Sequence, residues 1–384
     1  MIILCNILLL LWLVTFSLVL LGTYLATKHF SKKRALRETA YNLLPISILK
    51  PIKGIGPTIE KDIESFFYLD YPAYEIIFSI ADGDDPVRSI IEKLITKYHH
   101  VKAKLIIGDV AAGFNPKINN LIKSYAQAKH DWILISDGNA RVGQRYLKKM
   151  ASHIDAGVGV VTAIIAGCEP KNLSGYLESI YMNTFYARGM FLAELAGHSC
   201  VLGKSMLFRK SQAERFGGLK TMARYLAEDY MTGRAMTHLG LKTIIMKEPV
   251  YEHIGHYSWK LFWSRHIRWA RIRKNQALIP FLAEPLLNVF ISALCGVIPF
   301  AYLTPINPLT FLSFHFGVWF LCDLAMIYNV KVDIDIKLPL AWLVREFVAL
   351  PLWTHALCNN TVNWRGHKLK IQPGGTLESV PTSI

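Results

Sequence analysis

The 384-residue sequence lacks the motifs of several common protein classes. No GxGxxG follows the first predicted strand and no Walker lysine motif is present, which argues against a dinucleotide-dependent dehydrogenase and a P-loop enzyme. There is no Cys/His finger and no long Lys/Arg tract with interleaved aromatic residues, so nucleic acid is not expected as a partner. The six cysteines are scattered without a CxxC pair, and we expect them to be reduced and to bind no zinc.

Acidic residues are also scarce, because 28 Asp and Glu against 43 Lys and Arg give a formal net charge of +15. Hydrophobic residues make up 52% of the chain and the mean hydropathy is +0.28, which is unusual for a soluble enzyme. A chain that is both apolar and basic is typical of a membrane protein with a cytosolic face, or of a protein that binds an anionic substrate.

The amino terminus begins with an uncharged apolar run at residues 2–26. A membrane span requires about 20 such residues. The basic residues Lys28, Lys32, Lys33 and Arg34 follow the run instead of preceding it, which favours a membrane anchor over a cleaved signal peptide. By the positive-inside rule, the amino terminus then lies outside and the chain after the anchor lies in the cytosol.

The carboxyl-terminal third is apolar again and predicts further membrane segments. Residues 286–303 and 308–328 form two candidate spans joined by the turn TPINP. The stretch 338–358 carries Arg345 and Glu346 near its middle, and charges at the centre of a bilayer are costly. We therefore expect an interfacial or re-entrant helix there, in a multi-pass protein whose catalytic domain and tail face the cytosol.

The middle of the chain alternates between apolar runs typical of strands and amphipathic stretches typical of helices. Helices are predicted at 86–98 and 115–129, and strands at 46–54, 74–83, 103–109, 132–137, 158–167 and 205–210. This alternation predicts an α/β domain with a parallel or mixed sheet covered on both faces. The expected organisation is an anchor at 1–27, a basic linker at 28–44, a catalytic domain at 45–275, a membrane hairpin and interfacial helix at 276–358, and a cytosolic tail at 359–384.

Carboxylates occur at three places in this α/β segment where a ligand is expected to bind. They are Asp82, Asp84 and Asp85 after the second strand, Asp137 after the fourth, and Glu228 with Asp229 at the start of a predicted helix. Each place alone has an ordinary explanation, as a solvated turn or as an acidic first helical turn. Together, beyond strand ends, they favour a nucleotide-sugar site. One carboxylate would hold the nucleoside, one a divalent metal on the diphosphate, and one would act as general base.

Arginines follow in the stretch SRHIRWARIRK, which predicts a basic helix containing Arg265, Arg268, Trp269 and Arg271. Two interpretations remain open for these side chains. They could clamp a diphosphate, for which the planar guanidinium is suited. Alternatively, they could contact anionic lipid head groups at the membrane surface.

These motifs resemble those of the ceramide glucosyltransferases, which are membrane-bound glycosyltransferases of the GT-A fold. That family has three separated aspartates followed by (Q/R)xxRW, which stands here as Arg265-His-Ile-Arg268-Trp269. The blocks LKPIKG, NPKINNL and AEDY, and the Trp-Arg-Gly and Gly-Gly of the tail, are also similar to that family. The resemblance covers nearly the whole chain. It implies an α/β domain with a mixed, mostly parallel sheet, flanked by transmembrane or interfacial helices at both ends.

The resemblance also implies roles for individual residues. Asp85 corresponds to the first aspartate of the family, with Asp82 and Asp84 close enough to share nucleotide binding. Asp137 corresponds to the second, expected at the diphosphate and at Mg²⁺ or Mn²⁺, and Asp229 to the third, expected to be the catalytic base. The other residues expected at the site are Arg265, Arg268 and Trp269 at the diphosphate and acceptor, and Lys117, Asn119 and Glu228 at the substrates.

The sequence departs from the family or its fold at two of these places. The family's histidine upstream of the sixth strand is not matched, and Tyr186 occupies that position. Many GT-A enzymes present a second carboxylate two residues after Asp137, where this chain has Asn139. Because an amide contributes only a neutral oxygen, we expect a loosely held metal that depends on the phosphates of the nucleotide.

The implied reaction is inverting transfer of glucose from UDP-glucose to the primary hydroxyl of ceramide. The sequence shows no obvious Ser/His or Cys/His pair, which agrees with a one-step inversion that needs no enzymatic nucleophile. One alternative is an enzyme of the same fold that acts on a hopanoid, diacylglycerol or polyprenyl phosphate, with UDP-N-acetylglucosamine or another UDP-sugar as donor. A second is a non-catalytic membrane scaffold or transporter, which the presence of all three aspartates and RxxRW disfavours.

Overall fold

The computed structural model describes residues 1–31, 44–198, 200–364 and 366–380. Most of the predicted linker at 28–44, including Lys32, Lys33 and Arg34, lies outside the described residues, as does Arg365 of the tail. The chain divides into two compact units. The helical unit comprises Met1–Lys32, Gly167–Gly197 and His256–Gly374, and the sheet unit comprises Lys33–Ala166, His198–Gly255 and Gly375–Ile384. The segments predicted from the sequence follow one another along the chain, whereas each of these units is assembled from three separate stretches.

Up to residue 210 the strands and helices follow the alternation expected from the sequence, and the strands beyond that point were not predicted. The strands are β1 Ile46–Pro51, β2 Tyr74–Ile80, β3 Ala103–Ile107, β4 Trp132–Ile135, β5 Val158–Pro170, β6 Met206–Arg209, β7 Lys242–Gly255, β8 Thr361–Trp364, β9 His367–Ile371 and β10 Leu377–Ser379. The α-helices are α1 Ile2–Ser31, α2 Ile59–Glu64, α3 Val87–Lys97, α4 Pro116–Gln127, α5 Tyr146–Ala151, α6 Leu173–Tyr181, α7 Ala187–Leu195, α8 Lys210–Glu214, α9 Gly218–Met222, α10 Glu228–His238, α11 Trp259–Gln276, α12 Leu278–Ala283, α13 Val289–Leu303, α14 Pro308–Asn329 and α15 Leu338–Leu357.

The sheet unit contains a seven-stranded sheet in the order β3-β2-β1-β4-β6-β5-β7. Strands β1, β2, β3 and β4 are parallel to one another, and β6 runs antiparallel to both β4 and β5. The predicted mixed, mostly parallel α/β sheet is therefore confirmed. Strand β7 was not among the predicted strands, because the run Lys-Glu-Pro at 247–249 interrupts its apolar pattern.

Helix α4 shows how local sequence positions the site. The side-chain oxygen of Asn115 accepts the backbone N–H groups of Lys117 and Ile118, and Pro116 occupies the first helical position. Both are favoured ways to begin a helix. The apolar side of α4, including Ile118 and Leu121, is buried in the core of the sheet unit, and each such side chain contributes about 1.5–3 kcal/mol. This packing holds Lys117 in the first turn, beside the ends of the strands.

In the helical unit, α1 and α14 are long and apolar enough to cross a membrane. The predicted span at 286–303 stays a prediction, and the structure gives helix α13 only from Val289, with 15 residues. Asn288 caps α13, and the preceding helical segment meets it at an angle of 66°. Since a span requires about 20 residues, α13 reaches that length only together with the bent segment before it.

The charges of α15 are buried and paired. Arg345 contacts the carboxylate of Glu346, and Glu346 also accepts hydrogen bonds from the side chain of Asn288 and the backbone N–H of Val289. These contacts satisfy the two charges and join α15 to the start of α13, which reduces the cost of placing them in an apolar helix. The interfacial or re-entrant position expected for 338–358 stays a prediction.

Candidate active site

Three carboxylates from two segments of the sheet unit lie around one lysine from a third, and we call the four side chains the Lys117 cluster: Lys117, Asp137, Glu228 and Asp229. The Nζ atom of Lys117 lies 2.8 Å from Oδ1 of Asp137 and 2.9 Å from Oε1 of Glu228. Gly203 joins the cluster through its backbone, because its carbonyl accepts from Lys117 at 3.2 Å and its N–H donates to Asp229 at 2.6 Å. The structure therefore brings together the predicted second and third aspartates.

Each member of the cluster lies at the beginning of a helix or just after the end of a strand. Lys117 lies in the first turn of α4, and Asp137 lies just beyond the carboxyl end of β4. Glu228 and Asp229 form the first turn of α10, where the helix dipole and exposed N–H groups stabilise negative charge. This arrangement agrees with the expectation that ligands bind beyond the carboxyl ends of parallel strands.

The electrostatics of the cluster suit proton transfer. Burial and the neighbouring carboxylate of Glu228 raise the pKa of Asp229 to about 6, against the opposing effects of Lys117 and two backbone N–H groups. Burial alone would lower the pKa of Lys117, but the carboxylates of Asp137, Glu228 and Asp229 hold that pKa above its ordinary value. A carboxylate that is ionised at neutral pH, with a pKa only slightly below it, is well matched to the role of general base.

Gly203 permits this close approach. A Cβ atom at position 203 would lie 2.6 Å from Nζ of Lys117 and 3.1 Å from Oδ2 of Asp229. Since Nζ is held by two carboxylates and a carbonyl, it cannot move aside without breaking one of these contacts. The stretch CVLGKS therefore contributes a residue whose lack of a side chain shapes the site.

A second group of buried charges lies behind the Asp137 loop, and it was not predicted from the sequence. Nζ of Lys204 lies 2.6 Å from Oδ1 of Asn139 and 3.0 Å from Oε2 of Glu252, and Asn139 donates to Glu252 at 2.9 Å. Lys50 donates to the backbone carbonyl of Asp137 at 2.9 Å. Burial lowers the pKa of Lys50 to about 7. These contacts hold the backbone and side chains of residues 137–139 in place.

The described residues do not form a resident metal site. Among them, no group of three or more His, Cys, Asp or Glu side chains is placed to hold a metal ion. The oxygen of Asn139 already accepts from Lys204, and Oδ1 of Asp137 is paired with Lys117. A divalent cation that prefers six or more oxygen ligands would therefore obtain most of them from outside the protein.

The other residues predicted for the donor have contacts of a different kind. Asp85 accepts the backbone N–H groups of Gly54 at 2.8 Å and of Val87 at 3.0 Å, which ties the loop after β1 to the loop after β2. Asp82 and Asp84 are exposed within the same turn. Asn119 accepts the N–H groups of residues 112 and 113 and thereby shapes the loop before α4.

In the helical unit, the RxxRW motif lies on α11. Arg265 lies 3.0 Å from Oε1 of the fully buried Glu178, and its guanidinium lies 4.4 Å from the centre of the Trp269 ring. Trp269 stacks on Tyr186, with ring centres 5.7 Å apart and an angle of 6° between planes. Tyr186, which the sequence predicts at the position of a family histidine, therefore contacts the tryptophan of the motif.

Arg268 has different neighbours from Arg265, although both belong to the same motif. Its guanidinium lies 5.8 Å from the centre of the Trp364 ring, and it borders a cleft on α11. His266, between them, is buried, and its Nε2 atom lies 2.8 Å from Oε2 of Glu178. Burial lowers the pKa of His266. Neither Glu178 nor His266 was predicted as a site residue, because nothing in the spacing relates α6 to α11.

Comparisons with known proteins agree with this description. The profile of Glycosyl transferase family 21 matches residues 13–377. Ceramide glucosyltransferase 3 of Caenorhabditis elegans is 30% identical over 340 residues, which cover 86% of this chain and 74% of that protein. The ceramide glucosyltransferase of Komagataella phaffii is 27% identical over 441 residues, covering 91% of this chain and 86% of that protein.

A solved structure gives the same result for the fold. A mannosyltransferase from Pyrobaculum calidifontis, in complex with GDP-Man and Mn²⁺, superposes with a TM-score of 0.50 at 16% identity, covering 87% of this chain and 98% of that chain. Similarity at this level of identity concerns the fold alone. Both the GT-A fold and the family resemblance predicted from the sequence are confirmed.

Proposed function

We propose that this chain, which belongs to glycosyl transferase family 21, transfers glucose from UDP-glucose to the primary hydroxyl of a ceramide with inversion. The observation that carries the proposal is the Lys117 cluster, in which Asp229 has a pKa of about 6 beside a cation. The names of the relatives support the donor sugar and the acceptor, since both are ceramide glucosyltransferases. Membership of the family rules out the scaffold alternative, because it identifies the chain as a glycosyltransferase.

In the proposed reaction, Asp229 accepts the proton of the acceptor hydroxyl as its oxygen attacks the anomeric carbon from the face opposite UDP. The new bond joins that oxygen to the anomeric carbon. The bond between the anomeric carbon and the oxygen of the β-phosphate breaks, and UDP leaves with its electron pair. Lys117 keeps Asp229 ionised, because its positive charge opposes the pKa-raising effect of Glu228. The proton then passes from Asp229 to water.

We assign the remaining predicted residues to binding. Arg265 and Arg268 would offset charge on the departing diphosphate, which is a large part of catalysis in such sites. Trp269 would contact the acceptor. The loop residues Asp82, Asp84 and Asp85 would bind the nucleoside, and Asn119 would support the donor by shaping its loop. The contact between Arg265 and the buried Glu178 supports this assignment, because it fixes the guanidinium beside Trp269.

A Mg²⁺ or Mn²⁺ ion would be held mainly by the phosphates of the donor, with Asp137 as its protein ligand, and would offset phosphate charge when bound. Because the chain supplies so few ligands, dialysed protein should contain no stoichiometric metal by elemental analysis, and EDTA should abolish activity until excess metal is added. Activity that is unchanged in EDTA would refute the role of Asp137, and one tightly retained ion per chain would refute the weak site.

The pKa of Asp229 predicts how activity depends on pH. Since the base must be unprotonated, kcat/KM should fall as pH decreases through about 6. Glu228→Gln removes the negative charge that raises this pKa, so its acidic limb should move to lower pH. Rates measured between pH 4.5 and 8 in roughly half-unit steps test this. An acidic limb that stays in place, or moves upward, would contradict the assigned electrostatics.

Gly203→Ala should reduce kcat on the order of tenfold or more, because the new Cβ would push Lys117 away from Asp137 and Glu228 and crowd Asp229, and small misplacements at reacting groups are costly. Gly143→Ala is the matched control, since position 143 of the same unit has open space for a Cβ. Initial rates and melting temperatures of both variants are compared. Equal rates for the two would show that the close approach at Gly203 has no catalytic importance.

Another membrane lipid remains the alternative acceptor, and Tyr186 is the observation that favours it. Its ring stacks on Trp269, where the family has a histidine upstream of the sixth strand. The experiment that tests the proposal is purified full-length protein with UDP-glucose, UDP-galactose or UDP-N-acetylglucosamine against ceramide, a hopanoid and diacylglycerol. Mass spectrometry should detect hexosylceramide from UDP-glucose. If only the hopanoid or only diacylglycerol were glycosylated, that lipid would be the acceptor instead of ceramide.

Two long apolar helices and the family relatives indicate association with a membrane. We further propose a multi-pass protein whose sheet unit faces the cytosol, on the basis of the basic residues that follow α1. In sealed right-side-out vesicles, external protease should then leave epitopes in the sheet unit intact. Digestion of these epitopes without detergent would show that the sheet unit faces the outside, opposite to the proposed topology.

A further inference from the structure

A cleft of about 520 Å³ lies in the helical unit between α11, the end of α15 and strand β8. Its lining combines cations with tryptophan and histidine, including Lys260, Trp263, Arg268, Arg271 and His355. Trp263 donates to Nδ1 of His355 at 2.9 Å, which joins the two helices across the cleft. The reaction proposed above uses Arg268, at the edge of this cleft, and none of the other four residues.

The cleft lies in a part of the chain without acidic residues. Residues 256–283 contain six Lys and Arg, residues 347–377 contain three, and neither segment contains Asp or Glu. Two of these cations, Arg265 and Arg273, are paired with the glutamates Glu178 and Glu284 from elsewhere in the unit. Lys274 instead donates to three backbone carbonyls near the end of α15, at 3.0 to 3.1 Å. The region therefore has an excess of positive charge.

Arg271 is the most informative of the lining residues. It is 5% exposed, and two of its nitrogens donate to the backbone carbonyls of Thr361 and His355. Its Nε atom is buried and has no hydrogen-bond partner among the described residues. A buried donor without a partner requires explanation, and an anionic oxygen in the cleft would supply the missing acceptor.

The surroundings of the cleft resemble a membrane surface. Five of the nine tryptophans of the chain lie in the same two segments, at positions 259, 263, 269, 353 and 364. Tryptophan is enriched at the level of lipid head groups. Leu278, Ile279 and Leu282, in the short helix that follows α11, are 54%, 82% and 52% exposed, which leaves apolar side chains for lipid next to α11 in the chain.

We propose that this cleft binds the phosphate of an anionic membrane phospholipid. Lys260 and Arg271 supply positive charge to the phosphate, and Trp263 lies at the level of the head group. The exposed apolar residues after α11 favour a lipid over a free nucleotide, since a nucleotide gains nothing from them. The two interpretations of the basic helix thus apply to different residues of α11. Arg265, Arg268 and Trp269 serve the reaction, and Arg271, together with Lys260 at the start of the helix, serves the membrane.

The test uses full-length protein in a zwitterionic detergent, titrated with short-chain phosphatidylglycerol or phosphatidylcholine and followed by native mass spectrometry. Wild-type protein should bind phosphatidylglycerol at least tenfold more tightly than phosphatidylcholine. Lys260→Glu should lose this preference, and since Lys260 is exposed the variant should fold. Trp263→Ala should weaken binding of both lipids. Lys220→Glu, with the same charge change at an exposed position of the sheet unit, should behave as wild type.

Equal binding of the two lipids by the wild-type protein would overturn the proposal, as would an unchanged preference in Lys260→Glu. The cleft would instead be a nucleotide site if Lys260→Glu weakened UDP binding and left phosphatidylglycerol binding unchanged. Displacement of phosphatidylglycerol by inorganic phosphate at equal concentration would show a site for free phosphate. All of these readouts measure binding without donor sugar, so their outcome is independent of the proposed glycosyl transfer.

Discussion

Asp229→Asn is expected to lower kcat by about 10²–10⁴-fold, the contribution that a positioned general base makes. The substitution preserves the size of the side chain and one hydrogen-bond acceptor for the N–H of Gly203. The amide of asparagine cannot take up the proton of the lipid hydroxyl at neutral pH. Affinity for UDP should therefore remain within about twofold of wild type, because only the step that needs the base is affected.

The control for this variant is Asp155→Asn. Asp155 is exposed in the same unit and accepts the N–H of Gly157, which asparagine can also do. Steady-state rates and UDP titrations of both variants separate catalysis from folding and binding. If Asp229→Asn kept more than a tenth of wild-type turnover, the base would have to be another residue.

Lys117→Met should strongly destabilise the sheet unit. It removes the partner of two carboxylates, and breaking a buried ion pair by removing one side costs about 3–5 kcal/mol. We expect about 3 kcal/mol, because the side chain of Asp137 is 34% exposed and can be solvated. The pKa of Asp229 should also rise, since Lys117 is among the groups that lower it. The remaining activity should then fall at a higher pH than that of the wild type, whereas the activity of Glu228→Gln should fall at a lower pH.

Lys123→Met provides the comparison, because Lys123 lies on the same helix and donates to the backbone carbonyl of Ile107 at 3.4 Å, with no ion pair among the described residues. Denaturant unfolding of the two variants measures the difference in stability, and pH-rate profiles measure the shift. If both variants unfolded at the same denaturant concentration, the ion pairs of Lys117 would not stabilise the site.

Much of this site could be predicted from single stretches of sequence. The run WILIS predicts a buried strand, and Asp137 follows it at the edge where ligands of parallel sheets bind. The Asn-Pro at 115–116 predicts the start of a helix, and so places Lys117 in its first turn. These features depend on local periodicity and capping, which the sequence shows directly.

The contacts behind Asp137 could not be predicted in the same way. Lys204 precedes β6, and Glu252 lies on β7, whose apolar pattern is interrupted at 247–249. They meet because β6 runs antiparallel to β4 and returns the chain to the end of the sheet. The periodicity of one sequence does not show which distant strands pair. The contacts of Lys204 and Glu252 with Asn139 therefore became visible only in the structure.

The RxxRW motif shows a different limit. Arg265 and Trp269 are four residues apart and therefore contact each other on α11. Arg268 is displaced around the helix and contacts Trp364 of β8, a strand almost 100 residues later in the chain. A motif that is compact in sequence thus has side chains with separate neighbours, and only the packing of α11 shows which residue has which role.

The proposed reaction is a single displacement at the anomeric carbon, with Asp229 as the base. The most direct test is the anomeric configuration of the lipid product, determined by proton NMR after incubation of purified protein with UDP-glucose and ceramide. Because the glucose of UDP-glucose is α-linked, a single displacement should give β-linked glucosylceramide as the only anomer. An α-linked product would contradict a one-step inversion, and with it the role assigned to Asp229.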